Sequence, residues 1–194
     1  NTGSVMFDAV TRNLQFAPVK ETLAQFGLQP EQFVLVTIHR AENTNDVSKL
    51  KGIIEALNML AERITLVFPI HPRTKKIMEQ HHLALDPLIR VLEPQPYLSF
   101  LALLSQCRFI ISDSGGIQEE ALAVNKPCII PREETEWTRI VDAGKNILVG
   151  TETKRIIEAA ERLLDDGELQ KIKEISYPFT TGASAKIVEV LKQL

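Results

Sequence analysis

The chain has 194 residues, 44% hydrophobic and 24% charged, with a formal net charge of −3. That balance supplies enough apolar material for a sizeable core and excludes a disordered chain. Without a basic excess or a Lys/Arg block among aromatics no nucleic-acid partner is expected, and without a long apolar stretch no membrane insertion is expected, so the partner is read as a small molecule.

Residues 1–30 read as interrupted helices: Val5 to Leu14 is amphipathic, Pro18 breaks it, and Val19 to Phe26 resumes until Gly27 and Pro30 stop it. This stretch is expected to be a linker with interdomain helices. From there strand and helix signals alternate, with strands at Phe33 to Ile38, Ile64 to Ile70, Ile89 to Leu92, Cys107 to Ser112, Pro127 to Ile130 and Ile147 to Val149. Between and after them helices are expected at Val47 to Ala61, Arg73 to Gln80, Tyr97 to Ser105, Ile117 to Val124, Trp137 to Ala143, Thr151 to Leu164 and Glu168 to Ile175. The strands are nearly all apolar rather than alternating, which argues for a parallel sheet covered on both faces, a doubly wound α/β fold of Rossmann-like type over residues 31–176. Residues 177–194 hold a Pro, a Gly and an amphipathic helix from about Ser184, suited to docking on another domain. Cys107 and Cys128 lie in strand-like apolar runs without metal-ligand spacing, as small buried hydrophobes in a reducing cytoplasm, and no signal peptide is read, so a cytoplasmic location is expected.

In a doubly wound sheet the ligand sits beyond the carboxyl ends of the strands, and polar residues gather just there. His39-Arg40-Ala41-Glu42-Asn43, His71-Pro72-Arg73-Thr74, Asp113-Ser114-Gly115-Gly116 and Arg132 to Glu136 each follow a strand. Asp113 to Glu120 reads as strand end, glycine turn and helix start. The glycines allow a bulky ligand close to the backbone, and the free N–H groups and dipole of the helix favour a phosphate or diphosphate, with Ser114 as cap or phosphate donor. Glu119 and Glu120, expected in the first turn, either serve the dipole or, one of them, accept from both hydroxyls of a ribose. The bland alternative is a Ser cap and a tight turn. His39 reads as a phosphate ligand or proton donor with Glu42 beside it to orient it, or as a loop histidine near a helix cap; as a metal pair they lack a third ligand, and no metal is expected. His81 and His82 read as solvated. Phe100 reads as core or stacking platform, and Trp137, the one tryptophan, as a ring near the cleft or packed beneath its loop.

Together T-I-H-R-A-E-N, P-I-H-P-R, D-S-G-G-I-Q-E-E-A and P-R-E-E-T-E, with Asn125-Lys126-Pro127 where the family reads G-K-P, resemble the non-hydrolysing UDP-N-acetylglucosamine 2-epimerases from about Thr2-Gly3 to the C-terminus. The resemblance implies the second half of a two-domain, glycosyltransferase-B-like architecture, with a missing N-terminal domain that holds the key carboxylates and to which the C-terminal helix crosses back. It implies a UDP-sugar substrate, no cofactor, a homodimer in the full-length enzyme, and inversion at C2 by anti elimination and re-addition of UDP. Residue by residue it implies His39 as the active-site histidine, Arg40 as its basic neighbour, Ser114, Gly115 and Gly116 on the diphosphate, Glu120 on the ribose and Phe100 on the uracil. His71 matches a histidine of a regulatory UDP-sugar site. Ala41 and Trp137 replace arginines of H-R-R-E and T-E-R-P, which looks more like the branch acting on UDP-2,3-diacetamido-2,3-dideoxyglucuronic acid and makes Trp137 a possible sugar contact. A nucleotide-sugar glycosyltransferase half-domain and a non-catalytic UDP-sugar sensor are the readings from other classes.

Overall fold

The computed structural model describes residues 2–176 and 181–193. In chain order it runs α1 (Val5–Leu14), α2 (Val19–Phe26), β1 (Phe33–Thr37), α3 (Ala41–Thr44), α4 (Val47–Ala61), β2 (Thr65–Pro69), α5 (Pro72–Gln80), β3 (Arg90–Leu92), α6 (Tyr97–Gln106) and β4 (Ile110–Ser112), then α7 (Gly115–Ala123), β5 (Cys128–Ile130), α8 (Thr138–Asp142), β6 (Asn146–Leu148), α9 (Thr153–Leu164), α10 (Asp166–Glu174) and α11 (Ala183–Leu191).

The six strands form one sheet in the order β3-β2-β1-β4-β5-β6, and every adjacent pair is parallel. Both faces are covered, which explains the unbroken apolar strands. Phe33 and Leu35 of β1 turn to one face with Ile110, Cys128 and Ile130, and Val34 and Val36 turn to the other with Leu66, Phe68, Ile111 and Ile129. On the second face α4 presents Leu50, Ile53, Ile54, Leu57 and Leu60, spaced as one stripe of a 3.6-residue helix, with Asp46 capping Ser48 N at 3.0 Å. The segment leading into α9 lies against it so closely that a Cβ on Gly52 would fall 2.5 Å from the Thr151 carbonyl oxygen, so only glycine fits there. Full burial of Phe33, Phe68 and Phe109 contributes roughly 1.5–3 kcal/mol each.

α1 and α2, the stretch expected to link domains, lie on the first face, where Val10, Leu23 and Leu28 join the same apolar cluster as Phe33. Of residues 177–194, 177–180 and 194 lie outside the described residues, and α11 begins at Ala183, one residue before the expected Ser184, with Asp8 of α1 accepting from Gly182 N at 2.6 Å and Ser184 N at 2.7 Å. Those bonds hold the Asp8 carboxyl below its usual value. The expected fourth strand is shorter at its start, because Cys107 closes α6 by donating its N–H to the Leu103 carbonyl at 2.9 Å.

The sheet's winding reverses between β1 and β4, whose ends pair Thr37 with Ser112. The loops that follow diverge to opposite faces and leave a crevice at that seam.

Candidate functional site

Asp113 is fully buried just past β4. Its carboxylate accepts from His39 N at 3.0 and 3.1 Å, Arg40 N at 3.0 Å and Asn43 Nδ2 at 3.0 Å. Asn43 also donates to the Pro131 carbonyl at 3.0 Å, so one carboxylate and one amide fasten the loops after β1, β4 and β5 together. Beneath them the Thr37 and Ser112 hydroxyls lie 2.7 Å apart, and Ser112 Oγ accepts from Ser114 N at 3.1 Å. A buried carboxylate with several N–H donors is a stiff joint.

Ser114 stands at the N-cap of α7 in extended backbone, but its hydroxyl makes no cap bond. The glycines are not there for unusual dihedrals: both begin the helix, and neither takes a positive φ. Their role is bareness. A Cβ on Gly116 would meet nothing within 4 Å, whereas one on Gly115 would lie 3.1 Å from Arg40 Nη2, 3.5 Å from Glu136 Oε2 and 3.6 Å from Trp137 Nε1. The start of α7 thus lies beside the Arg40 guanidinium, the Glu136 carboxylate that it pairs with and an indole edge, and the unpaired first N–H groups of a helix suit an anion.

Because α7 starts at Gly115, Glu119 and Glu120 lie beyond its first turn, not in it as expected. Glu119 is buried and accepts from the Ser4 hydroxyl at the head of α1. Glu120 instead borders a pocket of ≈ 330 Å³ with Gln95, Tyr97, Phe100 and Ile117. Burial, and secondarily the charge of Glu119, pushes its carboxyl from 4.5 up to about 7. An aromatic ring and an acceptor one to two helical turns from the glycines suit a nucleoside whose diphosphate reaches Ser114.

Arg40 donates to Glu136 at 3.2 Å. Buried Arg132 donates to the other oxygen of Glu136 at 2.8 Å and also to Glu42. Glu42 therefore pairs with Arg132 instead of orienting the His39 ring. The hydrogen bonds from Arg132 hold the Glu136 carboxyl below its ordinary value. The ring of His71 stacks obliquely toward that of His39, centroids 5.7 Å apart, and His71 Nδ1 accepts from Arg73 N at 3.1 Å as the cap of α5. Trp137 satisfies both sequence expectations at once: its ring packs with Phe7, Leu122 and Ile140, and its N–H edge reaches the cleft. His81 and His82 are exposed.

The nine residues picked out from sequence thus gather along one rim, from Phe100 and Glu120 through Ser114 to Gly116 and on to His39, Arg40, His71 and Trp137. Motif reading passed over Asn43, Arg132 and Glu136 as partners of that rim, although each follows a strand in a polar run that signals it. Among the described residues no helix is long and apolar enough to cross a membrane.

A family model described as UDP-N-acetylglucosamine 2-epimerase matches residues 1–192. The UDP-N-acetylglucosamine 2-epimerase of Methanococcus maripaludis is 35% identical over 96% of this chain and 52% of its own length. The UDP-2,3-diacetamido-2,3-dideoxy-D-glucuronate 2-epimerase of Pseudomonas aeruginosa is 37% identical over 100% of this chain and 52% of its own. Among solved structures, the Methanocaldococcus jannaschii UDP-GlcNAc 2-epimerase in complex with UDP-GlcNAc and UDP superposes with a TM-score of 0.87 at 34% identity, covering 100% of this chain and 54% of that one. A glycosyltransferase of lipopolysaccharide biosynthesis, 13% identical with a TM-score of 0.57 over 80% of the chain, shares the fold alone. The chain spans about half the length of the curated relatives it matches.

Proposed function

The chain belongs to the UDP-N-acetylglucosamine 2-epimerase family, and from that premise we propose that it is the UDP-binding half of an enzyme that inverts C2 of a UDP-N-acetylhexosamine. The supporting observation is the continuous rim on which the Phe100–Glu120 pocket adjoins the bare start of α7, with His39 and Arg40 pinned beside it by Asp113. Uridine lies against Phe100 with its ribose on Glu120, and the diphosphate meets Ser114, Gly115 and Gly116.

In the reaction proposed, a base removes the C2 proton, the C1–O bond breaks, and UDP departs from a 2-acetamidoglycal before adding back with reprotonation on the other face. The leaving group gathers charge as the bond breaks. Donors fixed at α7, with Arg40 and His39, stabilise that charge more than the ground state and so lower the barrier. The base and its carboxylate neighbours belong to the first domain, onto which α11 crosses with Val188, Val190 and Leu191 exposed on its surface. The assembled enzyme is a cytoplasmic homodimer, and His71, next to His39, is the contact to a regulatory UDP-sugar.

A second sugar is favoured by particular residues. Ala41 and Trp137, with the 37% identity to the Pseudomonas aeruginosa protein, suit UDP-2,3-diacetamido-2,3-dideoxyglucuronate. The test is deuterium uptake at C2 of each sugar nucleotide in D₂O by the protein joined to a first domain. Exchange at C2 of either supports epimerisation and ranks the sugars. UDP release only when an acceptor is added would mean glycosyl transfer, and tight binding without exchange or release would mean a sensor.

A further inference from the structure

Trp137 holds its indole at the mouth of the diphosphate cradle by two independent means. The ring body packs on Phe7, Leu122 and Ile140, and its backbone N–H donates at 3.2 Å to Thr135 Oγ1, which donates in turn at 2.7 Å to Gln118, buried in α7. Both anchors include α7, so the indole and the helix start move as one body. Nε1 then lies 3.6 Å from the Cβ position of Gly115, with Arg40 Nη2 at 3.1 Å and Glu136 Oε2 at 3.5 Å from the same point. Its N–H donates to no group among the described residues. Arg40, the neighbouring donor, has Nη2 turned onto Glu136, which Arg132 holds from the other side.

Taking the nucleotide reading above as its basis, we propose that the Trp137 indole N–H is a neutral hydrogen-bond donor to a non-bridging diphosphate oxygen of UDP. An indole presents one donor and no acceptor, so beside a phosphate it has one useful orientation. Packing has already set that orientation, so little rotamer freedom is lost on binding. A neutral donor also suits a cradle in which Glu136 pairs with both Arg40 and Arg132, and Glu42 with Arg132. The bond would strengthen as UDP leaves and its oxygens gain charge, which makes Trp137 a contact to the reacting group and not only to the sugar.

The chain has a single tryptophan, so its ¹⁵N spectrum has one indole N–H signal that reports on this bond. Saturation with UDP should move that signal downfield, and saturation with uridine, which lacks phosphate, should leave it near its free position. Trp137→Phe, which keeps most of the apolar body, should weaken UDP by about tenfold and leave uridine affinity unchanged. An indole signal that stays put while calorimetry shows UDP saturating the protein would overturn the inference and leave the nucleotide reading standing. Equal UDP affinity in Trp137→Phe would do the same. Absence of any UDP binding would overturn both. Should Trp137→Phe fail to fold, the signal in the unaltered protein still decides.

Discussion

Asn43 and Asp113, 70 residues apart in sequence, meet at 3.0 Å between Nδ2 and Oδ2, both buried. This contact and the two backbone N–H groups of His39 and Arg40 convert separate loops into one rigid rim. Asp113→Ala would strand those N–H groups and the Asn43 amide away from water. A loss of roughly 3–5 kcal/mol is expected, seen as a fall in Tm, because several buried donors lose their partner together. Asn43→Ala removes one donor to Asp113 and one to Pro131 and should cost less, about 1–2 kcal/mol. Equal Tm for the unaltered chain and Asp113→Ala would show that the carboxylate is not the joint.

Glu120 links stability and binding to pH. Burial raises its carboxyl from 4.5 to about 7 in the fold, so the ionised form is disfavoured there. The stability it contributes is complete below 4.5 and is lost as pH rises through about 7. Allowing for partial exposure, the loss is on the order of 2 kcal/mol, and Glu120→Gln should flatten the denaturant midpoint between those pH values. Ribose hydroxyls donate to the ionised form, so uridine affinity should climb as pH rises through about 7 and level off above it. Glu120→Ala should weaken UDP by roughly tenfold to a hundredfold with the fold intact. Unchanged affinity at every pH would return Glu120 to a purely structural place on α7.

Arg132 joins the loop after β5 to the loop after β1 through Glu136 and Glu42. Removing its charge with Arg132→Leu leaves two carboxylates that are 40% and 55% exposed and can hydrate, so a modest loss of about 1–2 kcal/mol is expected. Backbone amides of residues 132–137 should exchange with solvent faster, and Arg40, deprived of a fixed Glu136, should contribute less to UDP affinity. Protection equal to that of the unaltered chain would mean the loops are held by packing alone.

Cys107 and Cys128 are both buried and free. Burial pushes the Cys107 thiol up to about 12, and burial raises Cys128 as well. Neither should react with an aromatic disulfide at neutral pH until the chain unfolds, since the thiolate is the reactive species. Rapid labelling of the native chain would contradict the burial of Cys107 at the end of α6 and of Cys128 in β5.

Much of this was legible in the residues. Apolar runs such as Phe33 to Ile38, unbroken because both faces of the sheet are covered, gave the strand type, and the polar runs after them marked the rim. What could not be read was partnership across the rim. Glu42 sits three residues after His39, yet its carboxylate goes to Arg132, ninety residues away, because the sheet brings β1 and β5 to either side of β4. Nor do the residues alone mark Gly115 as the start of α7. Glycine is a poor helix former, and only tertiary placement on β4 makes Gly115 and Gly116 the first turn, which moves Glu119 and Glu120 out of it.

On the proposed function one nucleoside diphosphate spans the start of α7 and the Phe100–Glu120 pocket. A crystal structure of the chain soaked with UDP tests it most directly. Diphosphate oxygens are expected within hydrogen-bond distance of the Gly115 and Gly116 N–H groups, with the ribose on Glu120 and the uracil against Phe100. Nucleotide density elsewhere on the surface, with the start of α7 unengaged, would contradict it.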